Sequence, residues 1–177
     1  MFAALGGTDT ATYKVLYLLH ILTVIVGFGS SFVWPVLGAQ AAKLGPGDAS
    51  LALSRVSLQS SKMLTTISIY LAALFGVLLV VFSGDSWKFS QVWISIAFVL
   101  FIAGAVLGYL LGANSKKMLG LQEALVSGEA KGGPGGPPPE VAELQALGKR
   151  SAMFGGLAHL MFLLLLIDMI WKPGLAS

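Results

Sequence analysis

Apolar residues fall in four long blocks along the chain, and polar or charged residues collect between them. The blocks run from Tyr13 to about Leu37, Met63 to Phe82, Val92 to Leu111 and Ala152 to Ile170. A helix needs about 20 mostly apolar residues to cross the hydrocarbon core of a bilayer. Within the blocks the charged residues are Lys14, at the start of the first, and Asp168, near the end of the fourth. Backbone polar groups find no water in lipid, so each block must bond its own backbone as a helix. The pattern predicts an all-α, four-transmembrane-helix bundle forming one integral membrane domain, with the lipid bilayer as its main partner.

The segments between the blocks differ in kind. Gly45-Pro46-Gly47 breaks the chain after the first block, and Asp48 is placed to cap a new helix. Leu51 to Lys62 then extends the second span beyond the membrane. The residues from about 127 to 139 hold a Gly/Pro-rich run, Gly132 to Pro139, that cannot build a core or a regular helix and reads as a flexible linker. Glu140 to Arg150 reads as a polar lead-in to the fourth span. Pro35 marks a kink or break near the inner end of the first. Ala39-Gln40-Ala41 resembles a signal cleavage site. The apolar run before it is too long for a signal core, and its flank carries Asp9 and only one lysine, so the first helix is expected to be retained.

Composition agrees with this reading. Of 177 residues, 56% are hydrophobic and 11% charged, against about 25% charged in soluble domains. The net charge of +3 does not point to nucleic acid, because the eleven basic residues are scattered between apolar runs. They act as topology signals instead. Lys43, Arg55, Lys62, Lys116, Lys117, Lys131, Lys149 and Arg150 lie on one side, and Lys14, Lys88 and Lys172 on the other. Eight against three places the two long loops in the cytoplasm and both termini outside a bacterial plasma membrane. Trp87, Trp93 and Trp171 then sit at the outer interface. With no cysteine there is no disulfide framework, thiolate metal site or cysteine nucleophile.

Candidate chemistry is confined to a few intramembrane polar residues. Tyr13, Tyr17, His20, Gly27, Ser31 and Trp34 recur at spacings of three, four or seven, which places them on one face of the first helix. That face requires partners other than lipid. His159 lies in the fourth span, with Gly155 and Gly156 one turn before it. One reading is a b-type haem held between helices one and four by His20 and His159, with Tyr17 as a supporting hydrogen bonder. Another is that each imidazole hydrogen-bonds across the bundle. A proton or quinone site is a third.

Depth weighs against one haem shared by both histidines. His20 lies about 10 Å along the helix from Tyr13, and His159 about 18 Å from Trp171. Asp168 and Lys172, four residues apart, read as an interfacial ion pair. Gly104, Gly108 and Gly112 repeat the small-xxx-small pattern of close helix packing, within the chain or against another membrane protein. No residue set names a catalytic reaction, and intramembrane charges are too few for an evident ion pathway.

Leu19-His20, then Val26-Gly27-Phe28-Gly29, then Phe32-Val33-Trp34-Pro35 resembles the opening helix of a family of small, mainly actinobacterial integral membrane proteins of unknown function. The fourth helix, closing on Trp171-Lys172-Pro173-Gly174, is similar too, and the resemblance covers all four spans. More distantly, the leucine-histidine start is similar to copper-resistance D-type proteins and the membrane protoporphyrinogen oxidase. There membrane histidines bind haem or metal, which implies such a role for His20, whereas His159 has no counterpart in a matching motif. The expected function is a haem b- or quinone-linked redox membrane protein; the alternatives are a cofactor-free accessory subunit of a larger membrane complex and a small transporter.

Overall fold

A computed structural model describes residues 7–45, 47–129 and 136–175, which are helical apart from short connections. Helix α1 (Ala11–Ser31) starts where the Thr10 hydroxyl accepts the Tyr13 N–H at 3.2 Å. It ends at Ser31 because Pro35 has no N–H to offer the Ser31 carbonyl. The expected proline break therefore falls one turn before the proline, at Phe32. Helix α2 (Val33–Lys43) continues beyond it, and the chain turns at Gly45 with φ +70°.

Helix α3 (Asp48–Ser60), a π-helical turn (Ser61–Thr66) and α4 (Ile67–Val81) form one continuous rod. Asp48 was expected to cap α3. The cap position is Gly47, without a side-chain bond, and Asp48 occupies the first turn, where a carboxylate favours the positive helix end. In the π turn the Ile67 N–H reaches the Lys62 carbonyl, five residues back. Helix α5 (Val92–Ser127) has 36 residues and α6 (Pro139–Trp171) has 33. At 1.5 Å per residue each is about 50 Å long, well beyond a hydrocarbon core of about 30 Å. The surplus lies at the basic end, in 48–62, 112–127 and 139–151, so the segments expected to lead into spans two and four are helical.

Four helical rods are long and apolar enough to cross a membrane: Ala11–Lys43, Asp48–Val81, Val92–Ser127 and Pro139–Trp171. Their outward faces carry apolar residues such as Val15, Ile25, Leu74, Val99 and Leu163, which lipid covers. Helix α5 ends at Ser127, at the start of the Gly/Pro linker read from the sequence, and Gly128 takes the left-handed conformation. Residues 130–135 of that linker lie outside the described residues.

The rods pack as two antiparallel pairs. Helix α1 lies along α4, and α5 lies along α6. At the basic end α3 packs on both α2 and α5 and so ties the pairs together. Two ion pairs reinforce that end, Arg55–Glu123 at 2.8 Å and Lys117–Glu143 at 2.5 Å. Both are half exposed and each stabilises by less than about 1 kcal/mol. Toward the other end neither α1 nor α4 packs extensively on α5 or α6, and a slot opens between the pairs.

The α1–α4 seam depends on Gly27. A Cβ there would lie 3.0 Å from Ile69 Cγ1 and 3.2 Å from the Ile69 backbone nitrogen. Gly27→Leu is expected to cost about 1–3 kcal/mol and lower the thermal transition of the detergent-purified protein. Gly29→Ala, with nothing within 4 Å of the added Cβ, leaves the transition unchanged or raises it. Equal transitions for both variants would show that the seam is not close-packed.

An intramembrane cavity and its imidazole

The slot encloses a cavity of about 640 Å³ lined mostly by apolar side chains, among them Ile21, Val24, Val77, Ile94, Phe101 and Leu166. Its polar lining comes from Tyr13, Tyr17, His20, Trp87, Trp93 and Lys172. Among the described residues of that lining Lys172 is the one that is charged.

His20 reaches the cavity from α1 and is held there by α4. Its Nδ1 lies 2.8 Å from the Ala72 carbonyl oxygen. A carbonyl only accepts, so Nδ1 carries the proton, and in the neutral ring Nε2 keeps its lone pair. No hydrogen bond engages Nε2 among the described residues. Gly76 makes this approach feasible, since a Cβ at Gly76 would sit 3.3 Å from His20 Cε1. The arrangement matches that of metal-ligating histidines, where the second ring nitrogen donates to a carbonyl and fixes the tautomer.

His159 is placed differently. Its Nδ1 lies 2.7 Å from the Gly155 carbonyl and its Nε2 3.0 Å from Ser31 Oγ. Nδ1–H donates to Gly155, and Nε2 lies within hydrogen-bond distance of Ser31 Oγ, whose one proton is shared with the Phe28 carbonyl at 2.6 Å. Phe32 and Phe28 flank the ring, with centroids 4.4 and 6.2 Å away. His159 does not line the cavity. It meets α1 at Ser31, eleven residues from His20, or about 16 Å along the helix. The structure does not bring the two histidines together. The depth difference read from the sequence has its counterpart here, and both histidines make the cross-bundle contact that was the other expectation, His20 to the Ala72 carbonyl and His159 to Ser31 Oγ.

The remaining stripe residues are accounted for one by one. Tyr13 Oη accepts the Trp87 indole N–H at 2.9 Å. Tyr17 lines the cavity at 54% exposure and makes no hydrogen bond to His20. Trp34 donates its indole N–H to Thr65 Oγ1 at 2.6 Å, and Thr65 is 2.7 Å from Ser30 Oγ. Thr65 and the Ala72 carbonyl were not singled out in the sequence. Thr65 belongs to the polar run that opens the second span, a signal that was legible. A bare helical carbonyl leaves no such trace.

The expected Asp168–Lys172 pair does not form. Lys172 adopts a left-handed backbone, φ 44°, at the end of α6, and its Nζ sits 4.2 Å from the Trp87 ring centroid. Asp168 is 5% exposed with both carboxylate oxygens unpartnered, beside a smaller depression on the far face of α5 and α6. Helical i,i+4 spacing failed as a guide because the helix ends between the two residues. Of the three small residues on α5, Gly104 is buried against Met161 and Phe162 of α6, whereas a Cβ at Gly108 or Gly112 meets nothing within 4 Å. Among the described residues no cluster of three or more acidic residues or histidines could hold a metal ion.

Residues 14–173 match the family model described as Predicted integral membrane protein (DUF2269). No curated protein and no solved structure matches the chain.

The Trp34–Thr65–Ser30 chain should stabilise the join between α1 and the π turn. Thr65→Val keeps the shape and removes the acceptor for the indole N–H, at an expected cost of about 1–3 kcal/mol. Thr23→Val is the control, because Thr23 bonds only to carbonyls of its own helix. Chemical denaturation in detergent compares the two, and equal losses would remove the role assigned to Thr65.

Proposed function

We propose that this chain, which belongs to the integral membrane family that its residues 14–173 match, binds a b-type haem in the slot through His20 alone. The supporting observation is His20 Nε2, without a hydrogen bond among the described residues, in an apolar cavity of about 640 Å³, with Nδ1 fixed by the Ala72 carbonyl. Pockets for large organic ligands are typically apolar, with a few placed polar groups, and span roughly 300–1,000 Å³. The residues fit the group in this one-imidazole form. They do not fit a clamp by both histidines, because His159 is engaged by Ser31 and Gly155.

A bound haem supplies one-electron redox chemistry at its iron. The chain's own residues do the rest. Ala72 holds the imidazole plane, Gly76 leaves room for it, and the apolar walls keep water from the site. A quinol would use the same Nε2 lone pair as an acceptor, so His20 is the common element of both redox readings. The positive-inside bias supports the membrane side proposed for the site: the Tyr13, Trp87 and Lys172 end faces outward from a bacterial plasma membrane.

A cofactor-free accessory role has its own supporting observation in the open flank of α5 at Gly108 and Gly112. A partner helix docking there would be displaced by Gly108→Leu, and co-purification of membrane partners reads the effect. Unchanged partners count against that role.

The main test is the absorption spectrum of the detergent-purified protein, oxidised and reduced. A Soret band is expected, lost in His20→Ala and retained in His159→Ala. A wild-type protein that stays colourless after haem is supplied overturns haem and leaves quinol binding to be read by titration. A Soret band unaffected by His20→Ala overturns the assigned ligand.

A further inference from the structure

At the outer mouth of the slot the aromatic cluster is built around a cation. Lys172 Nζ lies 4.2 Å from the Trp87 ring centroid and 5.7 Å from that of Trp93. The two indoles meet edge to face, with centroids 5.4 Å apart. The Trp87 N–H is anchored on Tyr13 Oη at 2.9 Å. Each of these four residues lines the cavity.

Three features separate this lysine from an ordinary interfacial anchor. The nearest carboxylate in sequence, Asp168, does not take it, and among the described residues Lys172 makes no ion pair. Its left-handed backbone, φ 44°, is a conformation that side chains other than glycine rarely adopt. That turn sends the side chain over Trp87 and the mouth. Finally, two indole faces stabilise the ammonium without neutralising it, so its charge stays available to a ligand.

From this geometry we infer that Lys172, seated on Trp87 and Trp93, is an anion-recognition site for the polar end of the cavity ligand, and that the ligand is an amphiphile carrying a carboxylate or phosphate. The inference rests on the reading of the slot as a ligand site and deepens it. Tyr13, at the mouth, and His20 are seven residues apart on α1, or about 10 Å along the helix. The ligand therefore presents its anion at the interface and its His20-facing group about 10 Å deeper. A haem meets this description through its propionates. An anionic lipid or fatty acid supplies the same chemistry from another source.

The test uses the full-length protein in nanodiscs of zwitterionic lipid, titrated with two probe pairs. One pair is haem and haem dimethyl ester, followed by absorbance. The other is cis-parinaric acid and its methyl ester, followed by fluorescence. Wild-type protein should bind each acid more tightly than its ester. Lys172→Gln, which removes the charge, keeps a polar end and places the same demand on the backbone, should weaken acid binding about tenfold or more, as expected for loss of a charge-assisted bond. It should leave ester binding unchanged, and Lys172→Arg should restore the preference. Equal weakening of acid and ester, or no acid preference in wild type, overturns the inference.

The two pairs separate its failure from that of the haem reading. If haem does not bind but parinaric acid shows the Lys172-dependent preference, the anion site stands and the haem reading falls. If haem binds through His20 with no dependence on Lys172, the reverse holds. Repeating the titration with phosphatidylglycerol added to the nanodiscs identifies the source. Competition with both acids assigns the site to a lipid headgroup, and no competition assigns it to a free amphiphile; the anion site stands in both cases.

Discussion

A polar side chain in hydrocarbon has to be satisfied by the protein, because lipid offers neither donor nor acceptor. That constraint organises this molecule around one face of α1. His20, Ser30 and Ser31 of α1 bond respectively to Ala72, Thr65 and His159, and Trp34, just beyond in α2, also bonds Thr65. Tyr13 receives Trp87. The face therefore dictates which segments stand beside α1: α4 along most of its length, α6 at Ser31 and the loop before α5 at Tyr13. Gly27 brings the seam with α4 close enough for these bonds to form.

The same pairing explains the cavity. Helix α1 uses its polar and glycine face on α4, while α5 and α6 pack on each other through Gly104. Each pair packs along its length, and α3 joins them at the basic end. Among the described residues nothing of comparable extent closes the opposite end, where Trp87, Trp93 and Lys172 gather at the mouth of the space between the pairs. One imidazole lies along this space and one ammonium lies at its mouth.

Much of this was legible in the sequence. The four spans follow from run length and hydropathy, and the helical extension at 51–62 follows from a polar segment without glycine or proline; the continuation of α5 through 112–127 was not read from the sequence. The stripe on α1 follows from periodicity, since spacings of three, four and seven define a helix face whatever surrounds it. The requirement for partners also followed. Which partners did not, because a helical carbonyl such as that of Ala72, made accessible by Gly76, has no residue-level signature.

The sequence by itself determined the membrane fold, the number of spans and the polar face, because hydropathy and helical period are properties of local residues. Only the tertiary structure decided the rest. It separated His20 from His159 by setting one against α4 and the other against Ser31, and among the described residues it gave Nε2 of His159 a hydrogen-bond partner and Nε2 of His20 none. It also turned Lys172 from Asp168 to the indoles, through one left-handed residue at a helix end. These outcomes depend on how rods cross and where they stop. Spacing along one helix carries no information about either.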